Sequence, residues 1–274
     1  MVSEMLHHNK RHFGVEMSHS FGDCMFSLPL IKSLSEHNMC KIGVATQKRF
    51  SDAFFNIPFI SEIVLIDGLT QGLKKLGEMG YERVEQITPH HHFPIFKDRD
   101  PSFCLIDTHL RVGRLLGCAD FDQRPIFTPT NDEEAAVSQY SSDKPLIAIE
   151  SIANSGQSWC DKKAVDMIIN RHRNTHRILW CSNQHAPNLP FVDDCLRYTR
   201  RQIICLLRKV EIFYTTGSGF FCASMALPHN ARPNKIVCLW IDDVYKYEHR
   251  LSQLGWHPNI VWVHNHQELQ ASLG

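Results

Sequence analysis

The sequence predicts an α/β protein of two Rossmann-like domains, each a doubly wound parallel sheet, that face a central cleft. Strands and helices alternate from end to end, which is typical of parallel sheets covered on both faces. The alternation breaks in the turn-rich segment 120–132 and restarts after Lys144. The 274 residues suit two domains of about 100–150 residues. We therefore expect domains at 1–130 and 131–274, although a single large sheet also fits the alternation.

Apolar runs and helical spacing define the elements of the first half. Strands are predicted at 12–18, 41–46, 61–67 and 81–88. Helices are predicted from Met25 to Leu34 and at 48–56, 69–79 and 101–116. The consecutive histidines 90–92 lie between two prolines, which indicates a loop.

The second half repeats this alternation. Asn131 is expected to cap a short helix through Val137. Strands are predicted at 145–150, 176–181, 211–215, 235–241 and 259–263, and helices at 161–171, 200–209, 218–227, 244–254 and 268–273.

The net charge excludes a strongly basic surface over the whole protein. Lys and Arg number 29, as do Asp and Glu, so nothing in the overall charge attracts nucleic acid or anionic membranes. The basic segments 171–177 and 197–201 are either solvated faces or tracks for a phosphate backbone. The N-terminus is polar and no apolar run spans a bilayer, so we expect a cytoplasmic protein without a transmembrane segment.

Ten cysteines and 17 histidines suggest a metal site, but their spacing does not. No C-x-x-C or H-E-x-x-H motif occurs, and Cys181, Cys205 and Cys238 lie in apolar runs typical of reduced core thiols. The three histidines 90–92 would bind a transition metal only adventitiously. The sequence thus predicts neither a functional metal nor a cofactor.

The first turn that could carry chemistry is the segment from Ser18 to Asp23, between a strand and a helix. Gly22 permits a sharp turn, and the helix N-terminus offers free N–H groups. Asp23 would then stand at the cleft, with His19 beside it. The alternative is that Asp23 or Ser20 only caps the helix.

The second turn, Thr215-Thr216-Gly217-Ser218-Gly219, leads from a strand into a helix of small and apolar residues. Glycines and hydroxyls at a helix start favour anion binding through N–H donors and the helix dipole. The segment is neither a Walker loop nor a G-x-G-x-x-G fingerprint. A glycine-serine turn of this kind also occurs for purely geometric reasons.

Together the two turns resemble those of the heptosyltransferase-like glycosyltransferases of family nine, which have the two-domain GT-B fold. The resemblance is carried by five segments: 21–30 with its Gly-Asp turn and Leu28-Pro29 step, 42–46, 59–64, 151–159 ending at Trp159, and 214–227. Three positions depart from the family pattern. Gly217 stands where the family has an Asp in its second half, and Cys222 stands where it has a His. Gln157 replaces the Lys of the family's loop.

The resemblance implies an inverting, metal-independent transfer of a sugar from a nucleotide-diphosphate sugar, the co-substrate, to a hydroxyl of a glycan or lipopolysaccharide-type core. Asp23 would be the base, with Gly22 and His19 on the acceptor side. The donor would be held by the residues matching the family's donor pocket: Gly217, Ser218, Gly219, Trp159, Asn183 and Tyr198. For Trp159, a place in the core fits equally.

Two other functions fit the same sequence. A glycosyltransferase acting on hydroxylated bases of DNA, as some viruses encode, would use the basic segments to follow the phosphate backbone. A non-catalytic nucleotide-binding protein would explain why Gly217 and Cys222 replace the family's Asp and His.

Overall fold

The computed structural model describes residues 12–68, 71–138, 140, 142–151, 159–182, 186–228, 230–241, 246–257 and 259–274. The described chain divides into two compact units, one ending at Gln123 and the other beginning at Arg124. Each unit contains a wholly parallel sheet, as the alternation of elements predicts. Among the described helices, none has the length and hydropathy needed to cross a membrane.

The first unit has a four-stranded sheet in the order β3-β2-β1-β4. Its strands are β1 (Phe13–Glu16), β2 (Ile42–Gln47), β3 (Ile60–Ile66) and β4 (Arg83–Gln86). Its helices are α1 (Phe21–Asn38), α2 (Gly72–Glu78), α3 (Pro89–Arg99) and α4 (Asp107–Leu115), with a 3₁₀ helix at Lys48–Phe54. The chain winds outward from β1 to β3 and then returns to place β4 on the other side of β1. The strand order therefore reverses between β1 and β4, the place where such sheets bind ligands.

The second unit has a six-stranded sheet in the order β10-β9-β8-β5-β6-β7. Its strands are β5 (Leu146–Ile149), β6 (Arg177–Trp180), β7 (Val192–Asp194), β8 (Val210–Thr215), β9 (Lys235–Leu239) and β10 (Ile260–Val263). Its helices are α5 (Asn131–Ser138), α6 (Lys162–His172), α7 (Arg200–Leu207), α8 (Gly219–Met225), α9 (Tyr247–Leu254) and α10 (His266–Ser272), with a 3₁₀ helix at Cys195–Arg197. Here the order reverses between β5 and β8.

Five local features differ from the sequence predictions. The helix predicted at 101–116 spans only Asp107–Leu115. Histidines 90–92 lie in α3 rather than in a loop, because Pro89 occupies the first helical turn, where its missing N–H costs nothing. Residues 48–54 form a 3₁₀ helix. The cap of α5 is Thr130, whose hydroxyl accepts the N–H of Glu133, so Asn131 is already helical. The three-residue β7 was not predicted, because it is too short to show a period.

The sheets are packed by aliphatic side chains from their strands and helices. In the second unit, Ile147 and Ile149 of β5 are fully buried against Ile168 of α6 and Leu269 of α10. All ten cysteines are free thiols, and eight of them are buried. They fill the interior as small apolar side chains.

Candidate functional site

The first cluster of polar side chains lies at the carboxyl ends of β1 and β4, where the strand order of the first unit reverses. The segment after β1 supplies His19, Ser20 and Asp23, and the first turn of α3, after β4, supplies His90. Residues far apart in sequence meet because both segments leave the same edge of the sheet.

Asp23 is fixed by the way α1 begins. Ser20 is the N-cap, and its hydroxyl oxygen accepts the Asp23 N–H at 3.1 Å. The same hydroxyl donates to Oδ2 of Asp23 at 2.6 Å. Ser20 therefore caps the helix as expected, and its hydroxyl also holds the Asp23 carboxylate in place. Gly22 lies inside the first turn of the helix, not in the turn before it, which corrects the role the sequence suggested for it.

Two imidazoles meet the same carboxylate oxygen. His19 Nδ1 lies 2.8 Å from Oδ2 of Asp23, and His90 Nε2 lies 3.5 Å from it. The two rings stack with their centroids 4.0 Å apart. Burial alone would raise the pKa of Asp23, but hydrogen bonds from His19 and His90 and the charge of His90 outweigh it and hold that pKa far below its usual range.

A third histidine is buried in the same region. His109 of α4 is 2% exposed, and burial lowers its pKa to about 4, so it is neutral at physiological pH. Its ring is hydrogen-bonded to the backbone of Ile87, and Nε2 has no hydrogen-bond partner among the described residues. His109 therefore adds no positive charge near Asp23.

The donor atoms of His19, Asp23 and His90 lie within 4.8 Å of one another, close enough to surround an ion. Two imidazoles and a carboxylate are a donor set that transition metals accept. The hydrogen bonds from Ser20 and His19 to Oδ2, together with the ring stacking, account for the cluster without an ion.

The second cluster lies where the strand order of the second unit reverses, after β5 and β8. Glu150 follows β5 directly and is 4% exposed. Its carboxylate accepts hydrogen bonds from Thr215 Oγ1 at 2.7 Å, from the Ser218 hydroxyl and from the Thr216 backbone N–H. Burial dominates over these bonds and raises the pKa of Glu150 to about 7.

Ser218 caps α8, and its hydroxyl also accepts the Phe220 N–H at 3.1 Å. The hydroxyl predicted to hold a diphosphate is thus already bonded to Glu150. Gly217 has a φ of +69°, and a Cβ there would lie 1.9 Å from Cζ3 of Trp240. The position that carries Asp in the family pattern therefore has no space for any side chain in this chain.

The remaining predicted donor residues do not join the Glu150 cluster in the described part of the chain. Trp159 donates its indole N–H to the Val263 carbonyl at 2.7 Å and packs against the core of the second unit. Tyr198 follows a 3₁₀ helix and packs under Arg197. Asn183 and residues 152–158, including Gln157, lie outside the described residues.

Three arginines of the basic segments bond within their own unit. Arg201 is 4% exposed and makes a two-pronged ion pair with Glu133, at 2.6 and 3.1 Å. Arg177 pairs in the same way with Asp193, and Arg171 donates to the Leu273 carbonyl at 2.6 Å. Arg201 and Arg177 are thus held in ion pairs, whereas Arg171 is exposed, as expected of a solvated face.

Two residues of these clusters were not identified from the sequence. Glu150 had a signal, because a carboxylate that directly follows an apolar strand stands at the edge where ligands bind. No sequence signal pointed to His90, because its approach to Asp23 depends on the order of β1 and β4 in the sheet.

The fold was compared with those of known proteins. No protein-family model and no curated protein matches the chain. Among solved structures, it superposes on the ADP-heptose lipopolysaccharide heptosyltransferase II of E. coli with a TM-score of 0.65 at 14% identity, covering 95% of this chain and 96% of that one. A family 9 glycosyl transferase of Veillonella parvula gives 0.65 at 10% identity, covering 94% and 88%.

An E. coli heptosyltransferase, WaaC, bound to ADP-2-deoxy-2-fluoro heptose gives a TM-score of 0.52 at 10% identity, covering 92% and 93%. The fold is therefore that of the GT-B glycosyltransferases. Within that class, the chain is similar in fold to the heptosyltransferases, as the two turns of the sequence predict.

Proposed function

We propose that this protein is an inverting, metal-independent glycosyltransferase that moves a sugar from a nucleotide-diphosphate sugar to a hydroxyl of a glycan or lipopolysaccharide-type core. The observation that carries the proposal is the Asp23 carboxylate, held by Ser20 and two histidines where the first sheet reverses its strand order. The GT-B fold also supports a glycosyltransferase function.

Sugar transfer requires a group that accepts the proton of the attacking hydroxyl. The cluster around Asp23 supplies a carboxylate that stays ionised and an imidazole that reaches solvent. A single displacement by the activated hydroxyl inverts the anomeric carbon. No step of this displacement requires a metal ion, because a hydrogen-bonded diphosphate can leave as an anion.

The donor's diphosphate is proposed to bind at the turn from Gly217 to Gly219. Since the Ser218 hydroxyl is bonded to Glu150, the backbone N–H groups of this turn would hold the phosphates. A negative Glu150 would repel them, whereas a protonated Glu150 would not. A pKa of about 7 allows this carboxyl to be protonated when the donor binds near neutral pH.

The acceptor is proposed to be a glycan rather than DNA. A DNA acceptor would require free cations along its phosphates, but Arg177 and Arg201 of the two basic segments are held in ion pairs within their own unit. We also propose a cytoplasmic location, where ten free thiols remain reduced.

The test is a panel of sugar nucleotides, beginning with ADP-heptose, read by mass spectrometry against glycan and hydroxymethylated-DNA acceptors. We expect transfer to a glycan, inverted anomeric configuration by NMR, and a loss of about 10²–10⁴-fold in kcat for Asp23→Asn. The matched control is Asp120→Asn, an exposed carboxylate paired with Arg114. Binding of the sugar nucleotide without transfer to any acceptor would instead indicate a non-catalytic nucleotide-binding protein.

A further inference from the structure

We propose that the atom accepting the proton of the attacking hydroxyl is Nε2 of His19, and that Asp23 is the residue that positions this imidazole. The inference rests on the proposed glycosyl transfer and goes one step further. The resemblance to family nine assigns the base to Asp23 itself, whereas the geometry of this cluster divides the task between two side chains.

Oδ2 of the Asp23 carboxylate is poorly placed to take a proton directly. Its side chain is 8% exposed, and Oδ2 is already approached by the Ser20 hydroxyl at 2.6 Å, by His19 at 2.8 Å and by His90 at 3.5 Å. These donors lower the proton affinity of the carboxylate, as its depressed pKa shows. A hydroxyl that attacks a sugar would have to displace one of them to reach Oδ2, so direct proton transfer to Asp23 would fall to Oδ1.

His19, in contrast, is well placed to take the proton. Its side chain is 40% exposed, and Nδ1 lies 2.8 Å from the carboxylate oxygen. A carboxylate partner requires Nδ1 to carry the hydrogen, which leaves the lone pair of a neutral imidazole on Nε2. The described residues provide no hydrogen-bond partner for Nε2. The ring plane is fixed by stacking on His90 at a centroid distance of 4.0 Å.

The two side chains form the arrangement of a carboxylate-oriented imidazole base. The acceptor O–H proton passes to Nε2 of His19 while the hydroxyl oxygen forms its bond to the anomeric carbon. The bond from that carbon to the diphosphate oxygen breaks, and its electron pair leaves with the nucleoside diphosphate. The imidazolium is stabilised by Asp23 and returns its proton to water from its exposed face.

The charges around His19 set the pH at which it can act. The hydrogen bond to Asp23 raises the pKa of His19 above 6.5, while burial and the charge of Arg49 oppose this rise. The ring of His90 stacks on this ring, and the charges of His19 and the exposed His91 act on each other. Because only neutral His19 accepts a proton, kcat/KM should rise as the pH rises through this raised pKa.

The experiment compares His19→Gln, His19→Ala and the wild type with the donor and glycan that the panel identifies. Gln can still donate to Asp23 but cannot accept the proton, so we expect kcat to fall about 10²–10⁴-fold with little change in KM. The acid limb of the pH profile should disappear. Added imidazole should restore part of the activity of His19→Ala, which a merely structural role would not allow. The matched control is His12→Gln, an exposed histidine bonded to Glu82.

The outcomes separate the two proposals. If the wild type transfers sugar and His19→Gln retains kcat/KM within threefold, or keeps the acid limb, Asp23 is the base and this inference is wrong. A wild type that transfers no sugar to any acceptor overturns the proposed function itself. Sugar-nucleotide binding and the unfolding midpoint, measured for each variant, show whether a lost activity comes from a lost fold.

Discussion

Replacing Gly217 by Ala should destabilise the second unit strongly. Gly217 has a φ of +69°, a conformation that costs a residue with a Cβ about 1–2 kcal/mol. The added Cβ would also lie 1.9 Å from Cζ3 and 2.4 Å from Cε3 of Trp240. The substitution therefore carries a backbone cost and a steric cost at once.

The indole has little freedom to move away. Trp240 is 1% exposed, and its ring packs against Trp262 and Tyr247 at centroid distances of 6.0 Å each. Overpacking of this kind costs about 1–3 kcal/mol. Adding the backbone cost, we expect Gly217→Ala to lower the free energy of unfolding of the second unit by about 2–5 kcal/mol.

Urea unfolding followed by tryptophan fluorescence measures this loss. The matched control is Gly255→Ala in the same unit, where φ is +60° and nothing lies within 4 Å of the added Cβ. It should show the backbone cost alone. If Gly217→Ala costs no more than Gly255→Ala, Trp240 does not confine this turn and the steric reasoning is refuted. Gly217→Asp, which restores the family residue, should unfold the unit rather than improve activity.

Three further results are expected. Arg201→Met should lower the free energy of unfolding in urea by about 1.5–3 kcal/mol, because the Glu133 carboxylate, 13% exposed, loses its charged partner and keeps the Thr130 N–H. An unchanged midpoint would contradict this, and Arg114→Met at an exposed pair is the control. Nucleoside-diphosphate affinity, measured by calorimetry, should weaken as the pH rises through about 7 and Glu150 ionises, and Glu150→Gln should abolish that dependence. Transfer should survive dialysis against EDTA, and a loss restored by a divalent cation would show that the reaction depends on metal.

The general features of this fold could be predicted from the sequence because they depend on local patterns. Apolar runs such as 145–149 locate the central strands, and the restart of alternation after Lys144 indicates a second sheet. The position of Asp23 at a strand end follows from the same pattern. Local signals failed at residues 89–92, where the prolines suggested a loop although the first of them begins a helix.

The composition of the site could not be predicted because it depends on contacts between distant segments. His90 reaches Asp23 only because β4 lies beside β1. Likewise, the side chain that confines Gly217 belongs to Trp240, at the end of a neighbouring strand. The sequence shows only that position 217 lacks the family's Asp. The structure shows why: the Trp240 ring occupies the space that a side chain at 217 would need.

The two carboxylates at the two strand-order reversals have opposite electrostatic environments. Asp23 is surrounded by imidazoles that keep it ionised, while Glu150 receives hydroxyl and amide donors too few to offset burial. Transfer as proposed requires His19 to be neutral, hence a pH above its raised pKa, and Glu150 to be protonated, hence a pH below about 7. The two conditions set opposite limits on the pH, so the profile of kcat/KM against pH should be bell-shaped. The acid limb should arise from His19 in the first unit and disappear in His19→Gln. The alkaline limb should arise from Glu150 in the second unit and disappear in Glu150→Gln.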